Sequence, residues 1–576
     1  MFWHQVVNPL NNVLFSAVLA AMPIVFLFLA LAVLRLKGHI AGICTLIVSL
    51  VIAIFFFGMP VKFAFLSSLY GALFGLLPIG WIVLTAVFLY NLTVKTGQFN
   101  IIKDSITTIT EDRRLQALLI AFSFGAFLEA AAGFGTPVAI TAAMLVGLGF
   151  NAFYAAGICL IANTAPVAFA AVGIPIITAG AVSSIDPDLV GQITGRQLGI
   201  ISIFVPFWLV VIMSGWKGAK EVMPAILTAG LSYGLVIFLA SNFLGPTLPG
   251  ILAALISIIS LITLLKYWKP QTIWKFKEEG EKELILKKHK PLVIFKAWSP
   301  FIILTILIID WGLKPVHQLL ASTNLEIPFL GLHQQIMIND SPLEVIYTFS
   351  WLSTTGTSIL IAAIISAFIL KIGYKTFFQV FIQTFNEMKY ALVTIASFLG
   401  FAFVANWSGI TPALGNAFTL TGYFFPFISP FLGWLGVLIT GSDTASNALF
   451  CNLQRITAEA IDVSPVLTVA ANTTGGCAAK MISPQSLVVA TSSSGLAGQE
   501  SNLFRFTFPH SILFAVITGI ITFVMAYILP KEILQPIQGL NLPENFINIP
   551  GWIILLMSFL IIILPGYWLS QKVNSD

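Results

Sequence analysis

The chain has 576 residues, of which 58% are hydrophobic and only 9% charged, and a mean hydropathy of +0.97; soluble domains carry about a quarter charged residues. That balance excludes a soluble globular protein and points to an all-α polytopic membrane protein. The net charge of +5 does not indicate a nucleic-acid partner, because one loop holds a surplus of the same size, nine Lys against four Glu between Lys266 and Lys296.

About 20 apolar residues cross a bilayer as a helix. In chain order, runs near that length fall at 13–34, 40–57, 72–92, 198–214, 222–242, 249–265, 299–313, 345–370, 389–405, 509–529 and 551–568. Broken runs lie between them, so about 12 to 14 crossings or re-entrant pieces are expected. The first run follows Met1–Pro9, which has no Lys or Arg, and reads as a retained helix rather than a cleaved signal. The four cysteines, Cys44, Cys159, Cys451 and Cys477, sit in apolar segments without metal-ligand spacing and read as small buried hydrophobes.

The positive-inside rule makes the Lys266–Lys296 loop cytoplasmic. Loops with Arg35/Lys37, Lys95/Lys103/Arg113/Arg114, Lys217/Lys220 and Lys371/Lys375 belong on the same side, and the acidic loop from Lys314 to Glu344 on the other. Counting crossings puts the N-terminus outside and the C-terminus, near Lys572, inside. The chain divides into a first transmembrane repeat (1–265), a basic cytoplasmic linker (266–298) and a second repeat (299–576).

The repeat rests on two matches in the same order. "LIANTAPVAFAAVGIPI" at 160–176 and "VAANTTGGCAAKMISPQ" at 469–485 share Ala-Asn-Thr, Ala-Ala and Ile/Pro at an offset of about 309 residues. At nearly that offset Gly133-Phe134-Gly135-Thr136 falls on Gly441-Ser442-Asp443-Thr444. The charge rule gives the paired helices opposite directions, the mark of an inverted-topology repeat whose interrupted helices meet at mid-membrane. The crossing at 222–242 has no clear partner near 530–550.

Four breaks follow, at Gly133–Pro137, Asn163–Pro166, Gly441–Thr444 and Asn472–Gly476. A helix interrupted within the bilayer exposes N–H groups at the start of its second piece, where the dipole is positive and attracts an anion. The side chains suit a carboxylate and a hydroxyl: Thr136, Asn163, Thr164, Ser442, Thr444, Asn447, Asn472, Thr473 and Thr474, with Gly133 and Gly135 freeing backbone. Ser442 and the threonines alternatively only cap new helix starts.

Charges inside a span are costly and usually functional. Asp443, in one polar stripe with Asn447 and Gln454, takes up a coupling proton or ligates a cation, or else is a first-turn carboxylate favoured by the dipole. Glu129 is a second proton carrier or a satisfied structural acid. Lys480 is a counter-ion to an anionic substrate or to Asp443, or snorkels to the interface. Arg196 and Arg455 read as interfacial anchors or helix-end charges, with Arg455 in reserve for the site; Asp310 beside Trp311 reads as the end of a crossing.

At these residues the sequence resembles the bacterial L-lactate permeases. The likeness is carried by "GAFLEAAAGFGTPVAITAAMLVGLGF", "ANTAPVAFAAVGIPI", "WLSTTGTSILIAAIISAFIL", "ANWSGITPALGNAF", "LITGSDTASNALFCNLQ" and "AANTTGGCAAKMISPQSLVVATSSSGLAGQES", and it runs from about residue 10 to 568. The resemblance implies a proton-coupled symporter of L-lactate, also taking D-lactate and glycolate, in the bacterial inner membrane, without a cofactor. It also implies kinship with a broader ion transporter superfamily whose sodium-coupled dicarboxylate carriers have two Ser-Asn-Thr motifs. Here those triplets read Ala162-Asn163-Thr164 and Ala471-Asn472-Thr473, one hydroxyl fewer in each half, which suits a singly charged substrate and puts sodium ligation in doubt. The same fold-level kinship implies an elevator-type motion of the hairpin domain and a homodimer. A sodium-coupled or differently specific carboxylate carrier is the alternative. An enzyme is not expected: the six His form no HExxH pair or cluster, and no Gly-x-Ser-x-Gly elbow is present.

Overall fold

A computed structural model describes residues 2–133, 136–276, 288–338, 340–537 and 550–572. The apolar runs become helices because lipid offers no partner to a backbone N–H or C=O, and a helix satisfies both within itself. Among the described residues eleven helices are long and apolar enough to cross a membrane, twelve with one bent pair counted as a span. Large apolar side chains such as Phe15, Val18, Phe55 and Phe204 point outward, which makes that surface lipid-facing.

Much of the second half repeats the first. The 35-residue span Val61–Lys95 answers the 35-residue span Tyr374–Ser408. The short helix Gln98–Thr107 answers Ile410–Phe418, Ala152–Ala162 answers Pro465–Lys480, Ala170–Ser183 answers Pro484–Ser494, and Pro187–Glu221 answers Glu500–Tyr527. Each pair starts 312–314 residues apart. Between the short helix and the broken span each half has a hairpin: Arg113–Ala131 with Thr136–Gly147, and Phe425–Thr440 with Asp443–Ala460. With both hairpins re-entrant, six crossings separate the two 35-residue spans, so they run in opposite directions.

Side-chain and strand contacts sort the loops into two faces. Strand Trp3–His4 pairs in parallel with Ile336–Ile338, placing the N-terminus beside the Lys314–Glu344 segment. On the opposite face Arg113 N–H donates to the Trp274 carbonyl (3.1 Å), Arg114 reaches Glu221 (2.7 Å) and the Thr272 carbonyl (3.1 Å), and His289 meets Asp104 (2.9 Å). Those contacts gather the loops around residues 104–114, 217–221 and 272–290, the grouping expected from their charge. Part of the basic linker, residues 277–287, lies outside the described residues.

Three expectations are corrected. The run 345–370 does not begin as a helix: Ile346–Phe349 is a strand, antiparallel to Leu325–Pro328, and the helix is Thr355–Ile369. The repeat register is about 313 rather than 309, one helical turn further on. Finally, the Asn472–Gly476 stretch is not a break, since Pro465–Lys480 runs through it and the interruption comes at Met481–Ser483. Counted from the starts of their helices, Asn163 matches Gly476, not Asn472. Gly475 is there for packing, because a Cβ on it would overlap the Pro430 carbonyl, and a Cβ on Gly433 would overlap that of Asn472. Small residues let helix backbones approach this closely in a membrane.

Candidate functional site

Three of the four expected breaks are present. The first hairpin turns at Gly133, whose φ of 63° favours glycine; Gly135 lies outside the described residues, and Thr136 opens the returning arm Thr136–Gly147. The span Ala152–Ala162 stops at Asn163 and resumes bent by 65°. After the short turn Val167–Phe169, three consecutive residues are left-handed: Ala171, Val172 and Gly173, with φ of 42°, 61° and 77°. Left-handed conformation costs about 1–2 kcal/mol per non-glycine residue, and such strain is held where surrounding structure over-determines it. Gly133 abuts Ala171, since a Cβ on it would come 3.3 Å from the Ala171 Cβ. The second hairpin turns at Gly441, φ 70°, and Ser442 caps the new helix by accepting from Ala445 N–H (3.3 Å).

Lys480 links the two halves. It is 6% exposed, so it does not snorkel outward, and its Nζ donates to the Gly441 carbonyl (2.7 Å). A cation is favoured there, at the negative end of the arm Phe425–Thr440. Lys480 also lies within electrostatic range of both Asp443 and Glu129. Those two carboxylates come from opposite repeats and are 4% and 2% exposed. Both oxygens of Asp443 and Oε2 of Glu129 lack a hydrogen-bond partner, and the Asn163 side chain lies beside Glu129 without a well-formed hydrogen bond to it. Buried polar groups without partners are rare in native structures and each calls for a reason.

The other predicted residues fall into supporting roles. Asn447 Nδ2 donates to the Pro175 carbonyl (3.0 Å), and its Oδ1 accepts from Asn472 Nδ2 (2.9 Å) and Thr473 Oγ1 (3.2 Å). Asn472 Oδ1 accepts from Gln454 Nε2 (3.1 Å), which also donates to the Ser429 carbonyl (2.8 Å). This satisfied network ties the second hairpin to the broken span of the first repeat. Thr164 turns back to the Ile161 carbonyl (2.7 Å), and Thr474 faces another way, onto Gln197 (2.7 Å). Thr444 is half-buried, and its side chain makes no hydrogen bond among the described residues. Arg196 is buried and holds Asn242 and the carbonyls of Ile533 and Gln535, in the loop after Glu500–Tyr527. Arg455 pairs with Glu459 (2.7 Å) at its own helix, and Asp310 accepts from Ser558 (3.0 Å).

Gly476 is the residue that sequence reasoning placed wrongly. A Cβ on it would overlap Asp443 Oδ1, so this glycine makes the room in which the carboxylate lies; a Gly-Gly pair inside a helical pattern was the available signal. Gly476→Ala is expected to displace Asp443 and lower uptake at least tenfold in a protein that still folds, overpacking here costing about 1–3 kcal/mol. Uptake and thermal unfolding of the purified variant check this.

A separate cavity of about 960 Å³ opens on the N-terminal face, bordered by Asp188, Gln192, Asn242, Lys314 and His317. None of the unpaired groups of the hairpin site lines it. The hairpin site is where buried opposite charges meet buried polar groups without partners.

Comparison with known proteins agrees in kind. The family profile described as L-lactate permease matches residues 16–529. The glycolate permease GlcA of Escherichia coli (strain K12) is 51% identical over 552 residues, 91% of this chain and 98% of that one. The L-lactate permease of Bacillus subtilis (strain 168) is 50% identical over 558 residues, 92% and 99% of the two chains. That of Escherichia coli (strain K12) is 46% identical over 543 residues, 92% and 98%. A match of this length and identity, on a chain whose two halves each carry a hairpin and a broken span, leaves one assignment: the protein belongs to the L-lactate permease family.

Proposed function

We propose that the protein imports L-lactate, and with it D-lactate and glycolate, across the bacterial inner membrane together with protons, with its basic loops cytoplasmic. The family and the names of its relatives support the substrate class, and the carrying observation for coupling is the charge balance of the hairpin site. One buried cation, Lys480, stands against two buried carboxyls, Asp443 and Glu129. A resting site with one carboxyl protonated is neutral. A monocarboxylate that enters then adds one negative charge, and burying an uncompensated charge is prohibitively costly. Uptake of one proton with each substrate restores neutrality.

In this reading Lys480 and Asn163 receive the substrate carboxylate, and Asp443 and Glu129 share the protons. The N–H groups of Asp443 and Thr444, in the first turn of their helix, supply donors, with Thr164, Thr444, Asn447, Asn472, Thr473 and Thr474 around or behind them. The two repeats, 1–265 and 299–576, each contribute one hairpin, and the homodimer and elevator motion implied by the wider superfamily fit a site held between such hairpins.

The test is uptake of labelled L-lactate by vesicles containing the purified protein. An inward proton gradient is expected to drive accumulation with no sodium present. Accumulation driven only by an inward sodium gradient would overturn the coupling ion.

A further inference from the structure

One more buried polar group without a partner lies near this site, on the helix Met223–Phe243. Tyr233, on Met223–Phe243, is fully buried, and its hydroxyl has no hydrogen-bond partner. A tyrosine hydroxyl in such a position normally finds one. Its ring packs on Phe122 of the first hairpin arm, with centroids 5.1 Å apart, and Glu129 follows seven residues later in that arm. The hydroxyl lies within electrostatic range of the Glu129 carboxylate and the Cys477 thiol, yet no hydrogen bond joins it to either.

The helix that presents Tyr233 is fixed in place. Cβ atoms on Gly230 and Gly234 would overlap the Ile203 and Gly199 carbonyls, so the helix lies directly against Pro187–Glu221. Ser257 bridges from the other side, meeting Ser123 Oγ (2.8 Å) and the Ala229 carbonyl (3.5 Å). Tyr233 is therefore held in place near Glu129 with no direct hydrogen bond to it. A group that both accepts from a phenol and donates to a carboxyl oxygen completes both, and an alcohol hydroxyl has that chemistry.

We infer that the Tyr233 hydroxyl, with Glu129, binds the 2-hydroxyl of the substrate and so selects 2-hydroxy acids over plain carboxylic acids. This rests on the transport reading above and deepens it. A site built to hydrogen-bond a substrate hydroxyl rejects the analogue lacking it, because the site's own polar groups are then left unpaired.

The test pairs acids that differ only by that hydroxyl: L-lactate with propionate, and glycolate with acetate. Each competes against labelled L-lactate uptake in vesicles of the wild type and of Tyr233→Phe, or, where uptake is too slow, against L-lactate binding to the purified protein. In the variant the inhibition constants of L-lactate and glycolate are expected to rise about tenfold to a hundredfold, with those of propionate and acetate changing less than about threefold, so that discrimination falls at least about threefold. Equal changes for both members of each pair, which a purely structural role produces, or no change at all would overturn the inference. Failure of the transport reading shows separately, as absence of L-lactate uptake by the wild type.

Discussion

Asp443→Asn is expected to abolish concentrative uptake of L-lactate while leaving lactate–lactate exchange across the same vesicles in place. Asn keeps the size of Asp, and the space for it is already made by Gly476. What changes is the proton carrier: Glu129 stays protonated throughout and Asp443 takes up the proton that enters with each monoanion, so in the variant Lys480 alone neutralises the substrate and no proton enters with it. Coupling is lost before binding is. Lys480→Ala differs, because the cation that receives the substrate carboxylate and holds the Gly441 carbonyl (2.7 Å) is gone. Hydrogen bonds to charged groups contribute about 1.5–3 kcal/mol, so lactate affinity is expected to drop by more than about tenfold and exchange to fail too. Accumulation and exchange measured on both variants separate the two roles, and wild-type accumulation in either would remove that residue from the mechanism.

Arg114→Met is expected to destabilise the protein by about 3–5 kcal/mol, the cost of stranding a buried charge by removing its partner. Arg114 is fully buried and bonds Asp112 twice, Nη2–Oδ2 at 2.8 Å and Nε–Oδ1 at 3.1 Å. It also donates to the carbonyls of Gly218 and Thr272, both at 3.1 Å. The pair with Glu221 adds little, because that side chain is 50% exposed and well solvated. The substitution leaves Asp112 buried without its cation, and Asp112 Oδ2 also accepts from Trp274 N–H (3.0 Å), so the start of the first hairpin and the loop that covers it loosen together. Arg114→Lys is expected to recover only part of this, since an ammonium cannot reproduce the planar fork. Thermal unfolding of the detergent-solubilised protein, compared across the three chains, reads the effect.

The fold was largely legible because lipid imposes one simple rule, that apolar runs of sufficient length become helices. Where that rule is silent, the reading slipped. Residues 345–354 continue the apolar run with Val, Ile, Tyr, Phe, Trp and Leu, yet Ile346–Phe349 pairs as a strand with Leu325–Pro328, and an apolar run read as one helix misses that change. The Asn472–Gly476 stretch carries the composition of a break because glycine serves two purposes in membrane helices, ending them and letting neighbours approach. Only the positions of the Pro430 carbonyl and the Asp443 carboxylate decide which.

The convergence of Glu129, Asn163, Asp443 and Lys480 was legible in kind, since each is a polar residue where hydrocarbon would exclude it. The left-handed turn at Ala171–Gly173 was not, since nothing in Ala-Val-Gly signals it. Tyr233 was equally hidden, as tyrosine is common in membrane helices and its orphaned hydroxyl is visible only once its neighbours are placed.

The central claim is that the tips of the two hairpins, joined by Lys480, form the substrate site. A structure of the protein with L-lactate bound, by cryo-electron microscopy, tests it most directly. The account predicts the lactate carboxylate within hydrogen-bond distance of Lys480 Nζ and Asn163 Nδ2, beside Asp443. Lactate found only in the cavity between Asp188 and His317, with the hairpin tips untouched, would contradict it.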